Sequence, residues 1–142
     1  MKSARRQARE NALQALYAWQ LSGVDPLEAA HGLEEAGRAD RAFVESLVRG
    51  VRQRVAELDR LIAPHLDRGL ERLSPVERVI LYIGAFELAA HPETPFKVVL
   101  NEAVELGKSF GGAEGHRFVN GVLEKVAVQL RPEEVARARK IA

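Results

Sequence analysis

Every apolar stretch of this 142-residue chain repeats at helical spacing, and no window alternates as a strand does. That property confines the chain to an all-α fold, because a period near 3.6 residues cannot present one face of a pleated sheet. Ala8, Ala12, Ala15, Leu16 and Trp19 form the first stripe, on a helix predicted from about Ala4 to Leu21 that stops at Ser22-Gly23. Asp25-Pro26-Leu27-Glu28 restarts the chain with an N-cap, a first-turn proline and a capping glutamate, opening a short helix that fades at Gly37. A long third helix from about Asp40 carries Phe43, Leu47, Val51, Val55, Leu58 and Ile62, and ends by Pro64 and Gly69.

Ser74-Pro75-Val76-Glu77 is the strongest local signal: serine cap, proline at the first helical position and glutamate at the third. The helix it opens, to about Ala90, is apolar nearly all round. Val76, Val79, Ile80 and Ile83 lie on one side, and Leu81, Ala85 and Leu88 on another. Such a helix is either central in a bundle or covered by a partner protein. Glu87 falls on its first stripe and reads as a satisfied buried carboxylate, bonded to backbone or a Tyr hydroxyl. Pro92 and Pro95 break the chain before a fifth helix, which packs Phe96, Val99, Leu100, Ala103, Gly107 and Phe110. Gly111-Gly112 is a loop. A sixth helix packs Val119, Val122, Leu123, Val126 and Leu130, and Arg131-Pro132-Glu133-Glu134 starts a charged seventh. The expected architecture is two small helical bundles, residues 1–68 and 69–142, dividing near Gly69.

The first nine residues carry Lys2, Arg5, Arg6 and Arg9 and no acid, while the whole chain has a net charge of +1. The cluster is therefore local. Read on the first helix, these side chains project beside the apolar stripe, as a clamp for a polyanion or as a solvated tail. Phe118 lies off the stripe of the sixth helix among His116, Arg117 and Asn120. That grouping could stack a base and hold its phosphate, or fill a seam between the bundles. Enzyme chemistry finds little support. There is no cysteine, so thiolate catalysis and thiolate zinc sites are excluded. The four histidines show no metal-ligand spacing, and no phosphate-loop or dinucleotide motif occurs. No cofactor is implied. No apolar run is long enough to span a bilayer, so no membrane association is expected, and a cytoplasmic protein is the simplest fit.

Four segments, "RRQARENALQALYAWQLSG", "SPVERVILYIGAFEL", "PFKVVLNEAVELGKSFG" and "HRFVNGVLEKV", in this order and spacing, resemble the NusB family of bacterial transcription antitermination factors, over residues 1 to about 131. The resemblance implies an all-helical adaptor. It would bind the single-stranded box A element of ribosomal RNA leaders together with NusE, a small-subunit ribosomal protein, within a transcription elongation complex. It implies RNA contacts from Lys2, Arg5, Arg6, Arg9, Lys108, His116, Arg117 and Phe118. It also implies a partner surface at Glu77, to which Arg78, Leu81, Tyr82 and Ala85 are natural neighbours. Gly115 stands where many members have Ser, which removes a hydroxyl donor. The same fold resembles the N-terminal module of ribosomal RNA cytosine methyltransferases, but this chain carries no methyl-donor motif and no cysteine nucleophile. Three functions thus stand at this point: an RNA-binding adaptor, a protein-only adaptor or homodimer with the basic helix masked, and a small hydrolase using histidine and carboxylates.

Overall fold

A computed structural model describes residues 2–33, 38–111 and 115–141. The expected fading of the second helix at Gly37 and the Gly112 half of the glycine loop lie outside those residues. Among the described residues there are seven α-helices and no strand. They are α1 (Ala4–Ser22), α2 (Pro26–His31), α3 (Arg41–Ile62), α4 (Pro75–Ala90), α5 (Phe96–Phe110), α6 (Gly115–Leu130) and α7 (Pro132–Ile141). Short 3-10 turns at Ala63–His65 and Leu70–Arg72 join α3 to α4.

The starts are fixed by side-chain caps. Ser3, Asp25, Asp40 and Ser74 each accept a hydrogen bond from a first-turn backbone N–H. α1 ends on Gly23 at φ 74°, a left-handed conformation that closes its last turn through the Gly23 N–H to the Trp19 carbonyl. α3 is interrupted at Arg54, whose φ of −111° and ψ of 18° depart from the helix.

α1, α2 and α3 pack on one another, as do α4, α5 and α6. α4 sits at the centre, touching α1 and α3 on one side and α5 and α6 on the other. This decides how its two apolar faces are covered. Val79 through Leu88 are all buried within the chain. Leu81, Tyr82 and Ala85 are 0% exposed, so they form no outward apolar centre for a partner. The burial has direct contacts behind it. The Tyr82 hydroxyl donates to Asp59 of α3 at 2.6 Å, and the Phe86 ring lies where a Cβ on Gly50 would be. On the opposite side, the space beside Gly84 is filled by Leu123 of α6. Phe110, expected in the core, is 37% exposed at the end of α5, and Val55 is only half-buried.

α7 clasps the α4–α5 turn. Arg131 donates to the carbonyls of Glu87, Leu88, His91 and Thr94 at 2.6–3.1 Å, and it also pairs with Glu134. Glu134 in turn accepts from the Phe96 N–H at the start of α5. One side chain thus donates to carbonyls at the end of α4 and in the turn that follows, and a second satisfies an orphan donor at the start of α5.

Candidate nucleic-acid interface

The three N-terminal arginines are held by acidic side chains from other segments: Asp40 before α3, Glu87 of α4, Glu93 of the α4–α5 turn and Glu102 of α5. Arg9 is 4% exposed, and its guanidinium makes a two-point pair with Glu87 of α4, at 2.8 and 2.9 Å. It also donates to Glu102 of α5 at 3.2 Å. The sequence reading put Arg9 beside the stripe of α1 and on the RNA; the structure places it inside. Guanidinium is the cation suited to such burial, because its planar fork can saturate a carboxylate. Glu87 is accordingly a buried, satisfied carboxylate, but its partner is Arg9, not backbone or a Tyr hydroxyl.

Arg6 and Arg5 are partly exposed. Arg6 pairs through two nitrogens with Glu102, at 3.1 and 2.6 Å, and that hydrogen-bonded carboxylate holds its pKa above the ordinary arginine value. Arg5 donates to the Thr94 hydroxyl at 3.0 Å and to Glu93 at 3.3 Å, and its guanidinium lies 4.0 Å from the centre of the Phe43 ring. Lys2 pairs with Glu10 at 2.7 Å. Together Lys2, Arg5, Arg6 and Arg9 line an open groove of about 550 Å³, with Pro95, Val98 and Glu102 on its far wall. A smaller cavity between α1 and α5 continues it past Lys2 and Arg6 to Glu105 and Ser109.

Glu93 is a carboxylate strongly altered by its surroundings. The hydrogen bond from His91, with smaller help from Arg5, pulls its pKa down to about 2. His91 Nδ1 lies 2.8 Å from Glu93 and its Nε2 lies 2.8 Å from the Ser46 hydroxyl, with the ring edge-on to Phe43 and Phe86.

The other expected contacts gather at the far end of α5 and the start of α6. Lys108 is exposed and 3.7 Å from Glu105, which lines the smaller cavity. His116 packs its backbone on Gly107, where an added Cβ would lie 3.1 Å from its Cα. Arg117 is exposed. Phe118 is half-buried against the core, with the Arg68 guanidinium 5.9 Å from its ring centre. His116 and Phe118 therefore flank the buried stripe of α6 on opposite sides. His116 lies against Gly107 of α5, whereas Phe118 lies beside Arg68.

Glu77 lies within reach of Gly115 at the start of α6, 3.7 Å from where its Cβ would be, and is half-exposed. Arg78 is committed internally. It donates to the Tyr82 hydroxyl at 2.7 Å and lies 3.8 Å from Asp59. Burial and Asp59 push the Tyr82 phenol up to about 12. Of the five expected partner residues, then, Glu77 keeps an accessible charge, Arg78 is tied inward, and three are in the core.

Sequence reasoning missed Glu102, Glu93 and Arg131. One signal was present for Arg9. On a helical wheel Arg9 falls about 20° from Leu16, and Arg5 falls between Ala12 and Leu16, so both sit on the stripe and not beside it. Among the described residues no cluster of His, Asp and Glu could hold a metal ion.

Fold and site together define an all-helical protein whose first helix presents arginines, braced from behind by carboxylates, along an open groove. The chain belongs to the NusB family, whose model matches residues 6–128. It is 51% identical over 144 residues to the transcription antitermination protein NusB of Dechloromonas aromatica (strain RCB), a match covering 99% of this chain and 88% of that protein. It is 49% identical to the namesake from Paraburkholderia phytofirmans, covering 99% of each. Among solved structures, T. maritima NusB superposes with a TM-score of 0.82 at 29% identity, over 96% of this chain and 99% of that one. A crystal structure of antitermination factors NusB and NusE in complex with dsRNA gives a TM-score of 0.77 at 30% identity, over 87% of this chain and 96% of that one.

Proposed function

We propose that this chain is a transcription antitermination factor: a non-catalytic, cytoplasmic adaptor that binds the box A element of ribosomal RNA leaders with NusE, inside the transcription elongation complex. The observation that carries the reading is the arginine-lined groove of α1, in a chain about half identical to named antitermination proteins along nearly its whole length. The related crystal structure that holds NusE and RNA together supports both partners.

Lys2, Arg5 and Arg6 are the phosphate contacts, Arg9 is the buried brace that fixes them, and Lys108 and His116 carry the path toward α6. Arg117, and Phe118 on the other side of the α6 stripe, complete the RNA contacts, with the Arg68 guanidinium 5.9 Å from the Phe118 ring centre. NusE docks at the Glu77 end of α4, through charge and not through Leu81, Tyr82 or Ala85.

A gel-shift titration with box A RNA, with and without NusE, tests this. Binding should tighten with NusE and fall with salt. Arg6→Ala should weaken binding to all single-stranded RNAs alike and flatten the salt slope by about 0.7, the loss of one phosphate contact. Failure of the unaltered chain to bind RNA at low salt, alone or with NusE, overturns the reading.

A further inference from the structure

The two exposed arginines share an arrangement that a simple phosphate clamp does not need. Each is held by a carboxylate that also holds a second, less exposed partner. Glu102 binds Arg6, whose side chain is 44% exposed, and at the same time the buried Arg9. Glu93 binds Arg5 and at the same time His91, whose side chain is 15% exposed.

If Arg6 turns away, Glu102 is left paired with Arg9; if Arg5 turns away, Glu93 is left paired with His91, and Asp40, 3.9 Å from Arg5, keeps its hydrogen bond from the Phe43 N–H. Neither departure strands a carboxylate. That matters because an unpaired, partly buried charge is what makes breaking an ion pair expensive, whereas an exposed pair with a remaining partner parts easily. Arg9 differs: its two-point pair with Glu87 is buried on both sides and is not releasable.

We propose that Glu102 and Glu93 are residues of the RNA site itself, internal stand-ins for phosphate that occupy Arg6 and Arg5 until RNA displaces them. The proposal rests on the RNA-binding reading above and assigns its regulation. Binding is then an exchange of carboxylate for phosphate. The free protein keeps its arginines ordered and covered, and every RNA must outcompete the two carboxylates before it is held.

The test compares Glu93→Gln, Glu102→Gln and Glu124→Gln in the full chain, using labelled oligouridylate and box A RNA at several salt concentrations. Glu124 lies on α6, pairs with Arg139 and lines neither cluster, so its variant controls for the same change in net charge. Glu93→Gln and Glu102→Gln should each bind both RNAs about two- to five-fold tighter, the size expected for removing an exposed competing ion pair. Their salt slopes should match the unaltered chain, because the number of phosphates neutralised does not change. Glu124→Gln should leave affinity within error.

Unchanged or weaker binding by folded Glu93→Gln overturns the proposal; weaker binding would mean that the carboxylates position the arginines for RNA. Equal tightening by all three variants also overturns it, in favour of overall charge. Should Glu102→Gln unfold through its bond to Arg9, the Glu93→Gln result decides, since Glu93 is exposed and holds only Arg5 and His91. No RNA binding by the unaltered chain would overturn the functional reading itself, a result distinct from these.

Discussion

Arg9→Met separates bracing from RNA contact. In the folded protein the guanidinium makes three charge-assisted hydrogen bonds, two to Glu87 at 2.8 and 2.9 Å and one to Glu102 at 3.2 Å, with Arg9 4% and Glu87 1% exposed. Methionine fills the space of the stem and removes the charge, so Glu87 is left in the core without its cation. Breaking a buried pair from one side costs about 3–5 kcal/mol, a large part of a domain's usual total of about 5–15 kcal/mol. Arg6→Ala, which breaks a pair whose arginine is nearly half exposed, should cost under about 1 kcal/mol. Urea denaturation followed by circular dichroism measures both. The double variant Arg9→Met with Glu87→Leu should recover most of the loss, because replacing a buried ion pair by packed apolar groups is often neutral. RNA titration at a temperature where each variant stays folded completes the assay, and Arg6→Ala should lose more affinity than Arg9→Met. A loss of stability below about 1 kcal/mol for Arg9→Met, or RNA affinity abolished with stability intact, would refute the reasoning and return Arg9 to the RNA surface.

Ala85→Arg should prevent folding, not merely loosen a partner, because Ala85 is fully buried at the centre of the bundle; a folded monomer by size exclusion would refute that placement. Gly50→Ala should destabilise by about 1–3 kcal/mol, since its Cβ would fall on the Phe86 ring, and a thermal melt reads it directly. Tyr82 contributes alkaline sensitivity. Its folded pKa is raised to about 12 from 10.0, so its stabilising contribution is complete below pH 10 and is lost as pH rises through 12. The 295 nm absorbance titration of Tyr82→Phe, subtracted from that of the unaltered chain, should show the missing tyrosinate step near pH 12, and a step near 10 would contradict the buried bond to Asp59.

Most helix starts were legible because they are local: Ser74, Asp25 and Asp40 cap the helices that their own neighbouring residues predict. The centrality of α4 was legible as one of two options, and only the packing of α1, α3, α5 and α6 around it chose between them. The basic cluster was legible as composition, and the helical wheel alone marks Arg9 as lying on the apolar stripe, but its partners were not legible. Whether Arg9 faces water depends on acids at positions 87 and 102, far along the chain, and periodicity within one helix carries no information about them. The expected docking face failed for the same reason. A helix that is apolar all round states that it is covered and leaves open by what. Arg131 illustrates the remainder: it reads as a charge at a helix start, while its role is defined by four carbonyls at the end of α4 and in the turn after it, some forty residues earlier.

That clasp has a consequence for how the protein is made. Glu87 is gripped twice, its side chain by Arg9 near the start of the chain and its carbonyl by Arg131 near the end. During synthesis the first helix emerges with a guanidinium that has no burial partner until residue 87 has left the ribosome. The turn beyond residue 87 then lacks its clasp until residues 131 and 134 follow. Domains gain their stability as units, not segment by segment. The arginine-bearing helix is therefore translated well before the residues that bury Arg9, and a nascent chain stalled before residue 131 would carry its basic helix without a finished fold behind it.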